Sequence, residues 1–112
     1  GGVVAILPEG TRAYDGVMAE PNPGVSMLAT RTGTPVLPVG ISGTDELIAR
    51  EQVLPNICSR IILRVGRPFT VSVHRGVDRR KALQAADEEM MRRIAALVEP
   101  RHRGRWEPWP EE

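Results

Sequence analysis

Leu7-Pro8-Glu9-Gly10-Thr11-Arg12 brings together residue types suited to holding an anion. Arg12 offers a planar fork of N–H donors that can grip a phosphate at two points. Gly10 lets a ligand approach the backbone closely. Thr11 adds a hydroxyl donor, and Glu9 could hold Arg12 or a hydroxyl of the ligand. The plainer alternative is a turn that exposes Glu9 and Arg12 to water. Two histidines are the other candidates for chemistry. His74 precedes Asp78 with three residues between them, and His102 lies among arginines near the end of the chain. No histidine, cysteine and carboxylate grouping has metal-ligand spacing. Gly40-x-x-Gly43 is too short for a phosphate-binding P-loop.

The elements that would position these groups follow from apolar spacing and turn residues. Residues 3–7 are a short β-branched run between glycine and proline, which predicts a strand buried on both faces. Pro8 stops its ladder, and residues 8–22 read as loop from Gly10, Asp15-Gly16 and Pro21. Asn22-Pro23-Gly24 predicts a helix start, with Asn22 as N-cap and Pro23 at the first helical position. This helix runs to about Arg31, buries Val25, Leu28 and Ala29, and ends at Gly33. Residues 36–41 form a second buried strand interrupted by Pro38, and 45–50 a short helix. Residues 61–65 and 69–73 give two more strands, with Phe69, Val71 and Val73 on one side. The clearest helix is 79–98, capped by Asp78, with Leu83, Ala86, Met90, Ile94 and Leu97 on one stripe. Glu88–Arg92 and Glu89–Arg93 are pairs worth about 0.3–0.5 kcal/mol each. The tail from Arg101 has no periodicity; it is either disordered or packed back through Trp106 and Trp109. Alternating strands and helices imply an α/β fold, a mostly parallel sheet flanked by helices.

The 112 residues suffice for one small domain, and 41% hydrophobic with 26% charged residues is ordinary for a globular chain. A net charge of +1 provides no field to draw in nucleic acid, and no aromatic residues interleave the arginines as a single-strand binder would need. Arg60, Arg64, Arg67, Arg75, Arg79 and Arg80 form a denser basic stretch, either a solvated face or a patch for anionic lipid headgroups. Cys58 is the single cysteine, so no internal disulfide forms. No signal peptide or transmembrane run is present in the sequence.

Pro8-Glu9-Gly10-Thr11-Arg12 after an apolar strand resembles the third signature block of the glycerol-3-phosphate and 1-acylglycerol-3-phosphate acyltransferases. Asp15-Gly16 followed by Pro23-Gly24 is similar to the loop and helix start of that family. Thr34-Pro35-Val36-Leu37-Pro38-Val39-Gly40-Ile41 resembles the fourth block, and Ser42-Gly43-Thr44 follows as it commonly does there. Residues 61–69 resemble the next strand and its Gly-Arg-Pro turn, and the helix at 79–98 the closing helix. The likeness covers about residues 1–99, leaving 100–112 as a tail.

The resemblance implies transfer of an acyl chain from a thioester to a hydroxyl of a glycerophosphate, a step of phospholipid biosynthesis. It implies no cofactor; acyl-coenzyme A or an acyl carrier protein would be the donor and co-substrate. It assigns the acceptor phosphate to Arg12, with Glu9, Gly10 and Thr11 shaping the pocket. Asn22 stands where many relatives have lysine, leaving a helix N-terminus to favour the anion. Pro38 would lie beside the acyl or acceptor site. The family's base is a histidine in a His-x-x-x-x-Asp block, oriented by the aspartate. Only seven residues precede Pro8, and that block is absent. The expectation is therefore an incomplete acyltransferase domain without turnover of its own. Its parent would sit at the cytoplasmic face of the cell membrane, peripheral or anchored through an upstream part. The other reading is a non-catalytic module that binds a lipid phosphate or a protein.

Overall fold

The computed structural model describes residues 2–10, 17–22, 24–43, 60–71 and 78–110. Along the chain these give helix α1 (Gly24–Thr32), strand β1 (Val39–Ser42), strand β2 (Ile62–Val65), helix α2 (Arg79–Ala95) and a 3-10 turn at Pro100–His102. The helix expected at 45–50, the strand end at 72–73, Cys58 and His74 lie outside the described residues.

Helix α2 is the beam on which the rest is built. Asp78 caps its start by accepting from the Arg80 amide at 3.1 Å, which satisfies one of the first-turn donors. Arg93 reaches back to Glu89, with its Nε 3.0 Å from the carboxylate. Arg92 turns instead to the tail and donates to the Glu107 carbonyl at 3.0 Å. The sequence pattern suggests one apolar stripe, but α2 uses two. Ala86 and Met90 pack with Ala29 of α1 and Val71, edged by Val25, Val36 and Phe69. One residue further round, Met91 and Ala95 are fully buried against Trp106 of the tail, with Met18 beside them. Residues i and i+4 share a helix face, and a step of one residue turns it by about 100°. The second face looked like stripe edge because its partner is an aperiodic segment.

Helix α1 approaches α2 through small side chains, Ser26 and Ala29, both buried. Leu28, expected inside, is 49% exposed. Gly33 ends α1 at φ +65°, its amide donating to the Ala29 carbonyl at 3.0 Å, the left-handed cap that glycine adopts without a Cβ penalty.

The sheet overturns the expectation of a mostly parallel sheet flanked by helices. Among the described residues it has two strands, and they are antiparallel: Val39 faces Val65, Gly40 faces Arg64, Ile41 faces Leu63 and Ser42 faces Ile62. The parallel reading rested on the alternation of strands and helices, which fixes neither partner nor direction. Residues 3–7, expected as a buried strand, form none; Val3 is 98% and Leu7 77% exposed. An apolar run signals a tendency to be buried, and the described residues do not cover this one.

Two prolines shape the sheet's end. The Pro38 carbonyl accepts from the Gly66 amide at 2.9 Å, but Pro38 has no N–H to return. Val36 and Phe69 then exchange both bonds, at 2.7 and 2.9 Å. Arg67 and Pro68 thus stand opposite Leu37 alone, the two-against-one count of a β-bulge.

The sheet is also turned the unexpected way. Gly40 and Ser42 face inward: a Cβ on Gly40 would lie 2.6 Å from the Leu97 Cβ, and the Ser42 hydroxyl accepts from the Glu99 amide at 3.1 Å. On the other face, Ile41, Leu63 and Val65 are 43%, 61% and 56% exposed. Exposed apolar strand surface templates association. The 112-residue chain is expected to elute from a sizing column ahead of its 12.3 kDa monomer, and Leu63→Lys to shift it toward the monomer. A monomeric parent at tens of micromolar would contradict this. Arg60, Arg64, Arg67, Arg79 and Arg80 are all exposed, consistent with a solvated basic face. Among the described residues no helix is long and apolar enough to cross a membrane.

Candidate functional site

Residues 8–10 and 17–22 are the described parts of the loop that carries the acidic–glycine–arginine block. Its neck is tied by the backbone. The Gly10 amide donates to the Leu7 carbonyl at 3.1 Å, and the Asn22 amide to the Pro8 carbonyl at 2.7 Å. The chain therefore leaves and returns at one point. Gly10 sits at φ +66°, and a Cβ there would collide with the Asn22 side-chain amide. The backbone conformation favours glycine there, whereas the exposed Asn22 side chain could swing aside to admit a Cβ.

Gly10 and Asn22 thus lie against each other at the neck, with Glu9 next to Gly10 in the chain. Thr11 and Arg12 lie outside the described residues. The Glu9 carboxylate is held within the loop, its Oε2 accepting from the Ala19 amide at 2.9 Å, so it orients the loop's returning limb. Asn22 lies against Gly10 two residues ahead of the first residue of α1. Pro38 is buried in the strand layer, its ring on the side of Gly66. Asp78, the residue spaced from His74, has its carboxylate on the Arg80 amide as a helix cap.

The tail supplies partners that sequence reasoning missed. The Met18 amide donates to the His102 carbonyl at 2.8 Å, and His102 itself is buried. The Trp106 indole N–H donates to the Ala19 carbonyl at 3.3 Å. Arg105 grips Glu20 at both carboxylate oxygens, with Nη2 to Oε2 at 2.8 Å, and its guanidinium lies 3.7 Å from the centre of the Trp106 ring. Further along, Arg93 is placed between Phe69 and Trp109, at 4.2 and 4.7 Å from the ring centres. Arg103 caps the end of α2 through the Ala95 and Val98 carbonyls, at 2.8 and 3.4 Å. The available signal was faint: both tryptophans of the chain fall in this one aperiodic stretch.

Hydrogen bonding from Arg105 holds the Glu20 carboxyl below its ordinary value; desolvation opposes it, and the charge of Arg105 adds a smaller lowering. A depressed carboxylate stabilises the fold above its ordinary value of 4.5 and loses that contribution as the pH falls through the lower folded value. The pair is exposed, so the effect is local and modest. The Arg105 Nε–H shift is expected to titrate below pH 4.5, and Glu20→Gln to abolish the inflection; a titration that survives the substitution would assign it to another group.

Among the described residues no group of three or more histidine, cysteine, aspartate and glutamate side chains could hold a metal ion. What the site can do chemically is present a backbone-tied, glycine-permitted loop with Glu9 as an internal brace. No family model matches the chain, and no curated protein or solved structure matches it.

Proposed function

We propose that this chain supplies the acceptor-phosphate part of a glycerolipid acyltransferase, whose reaction moves an acyl group from a thioester to a hydroxyl of a glycerophosphate. The observation that carries the reading is the Pro8-Glu9-Gly10-Thr11-Arg12 block on a loop whose neck closes through Pro8 and Asn22. The tied neck sets Gly10, at positive φ, beside the Asn22 side-chain amide, a further N–H donor for an anion. Arg12 is the residue whose chemistry fits a phosphate. In the reaction the acceptor hydroxyl attacks the thioester carbonyl, its proton passes to a base, and the thiol leaves. This chain's part is to fix the acceptor by its phosphate, which supplies orientation. The base belongs to a His-x-x-x-x-Asp block that the 112 residues do not contain.

The same tied loop, with Glu9 held on the Ala19 amide, supports a second reading, a non-catalytic module that binds a lipid phosphate or a protein. Both readings meet at Arg12. Arg12→Ala is expected to weaken binding of glycerol 3-phosphate by roughly 10- to 100-fold, the loss of a charge-assisted, two-point contact. In a transferase containing this chain, the acceptor KM would rise while the thioester KM stays put. Unchanged glycerol 3-phosphate affinity in the variant would remove the phosphate role from both readings and leave protein binding.

A further inference from the structure

The C-terminal tail meets the returning limb of the loop residue by residue. A Cβ on Gly104, which sits at φ +58°, would lie 2.5 Å from Val17. The His102 carbonyl takes the Met18 amide at 2.8 Å. Trp106 donates to the Ala19 carbonyl, and Arg105 holds Glu20 at two points. Ala19 is the junction: its carbonyl is held by the tail, and its amide holds the Glu9 carboxylate at 2.9 Å. Glu9 in turn adjoins Gly10, whose amide and side-chain-free face close the neck of the loop. The Ala19 carbonyl and amide belong to successive peptide planes joined at the Ala19 Cα; with the carbonyl held by a buried indole and the Met18 amide held by His102, few backbone torsions remain free between the tail and the Glu9 carboxylate.

We infer that Trp106 is a positioning residue for the loop, setting the place of Glu9 and Gly10 through the Ala19 backbone. The inference rests on the phosphate reading of the loop only for its consequence, that ligand affinity depends on the tail. Trp106→Phe removes the indole donor and keeps an aromatic ring in the core. Trp109→Ala serves as the comparison: it strips the stack on Arg92 and Arg93 and touches no residue of the loop that the described contacts show. Both variants of the 112-residue chain are to be measured for thermal stability, for amide chemical shifts at Ala19 and Gly10 without ligand, and for affinity toward glycerol 3-phosphate.

Trp106→Phe is expected to move both amides and weaken affinity by about three- to tenfold, the scale of one hydrogen bond. Trp109→Ala is expected to lose at least as much stability with affinity within about twofold of the parent. Unmoved Ala19 and Gly10 amides in Trp106→Phe would overturn the inference, as would affinity losses that track stability alike in both variants. If the parent chain binds no glycerol 3-phosphate, the phosphate reading fails, and the ligand-free shifts still decide whether Trp106 sets the loop.

Discussion

Trp106→Ala is expected to cost about 3–5 kcal/mol of folding stability, the usual range for deleting a buried large aromatic side chain. Trp106 is 4% exposed and packs on Met91 and Ala95, both 0% exposed, with Met18 at the edge. Removing the indole opens a cavity over the second face of α2. It also deprives the Ala19 carbonyl of a donor and Arg105 of the ring beneath its guanidinium. Domains of this size have about 5–15 kcal/mol to lose, so the variant would be partly unfolded in mild denaturant. Urea unfolding followed by circular dichroism measures the effect. The midpoint should fall steeply with little change in slope. A loss under about 1 kcal/mol would show that the tail does not seal α2 in solution.

Gly43→Ala is the second large effect. Gly43 stands at φ +94°, where a residue with a Cβ is strained. That Cβ would also collide with the Arg60 backbone carbonyl and lie 3.0 Å from its carbon and 3.4 Å from the Ile61 Cα. Relief cannot come from a side-chain rotation, because the obstacle is main chain. Either residues 60–61 retreat, pulling Ile62 from its place opposite Ser42, or Gly43 changes conformation at the end of β1. Strain and overpacking together cost about 2–5 kcal/mol. Hydrogen exchange across Val39–Ser42 and Ile62–Val65 should accelerate more than exchange in α2. Equal acceleration everywhere would mean that the sheet has no stability of its own to lose.

Local physics was legible in the sequence where it was self-contained. Asp78 as a cap, Gly33 as a terminator and the helix expected at 79–98 need only their near neighbours, and the structure has all three, the helix ending at Ala95. The tie of Pro8 to Asn22 was half legible: proline and glycine marked a loop, and its closure is a backbone bond that no side-chain pattern encodes. The facing of the sheet was misread because apolar residues such as Ile41, Leu63 and Val65 invite burial, whereas Gly40 and Ser42 take the inner face. Small residues there admit Leu97 and the turn after α2, and composition gives no hint of that exchange. Packing of the tail through Trp106 was one of two alternatives in the sequence, but its partner Ala19 and the Arg105–Glu20 pair escaped because these contacts span the chain; 85 residues separate Glu20 from Arg105.

That span has a kinetic consequence. During synthesis the loop leaves the ribosome well before its brace, residues 102–106. Contacts between distant parts of a chain form late, after the intervening loop entropy has been overcome. Glu9 and Gly10 can find their neighbours early, but Ala19 has nothing to fix its carbonyl until Trp106 emerges and folds back. The segment translated earlier is therefore ordered later, and a stall before Arg105 would leave a nascent chain with its helices formed and its loop unset.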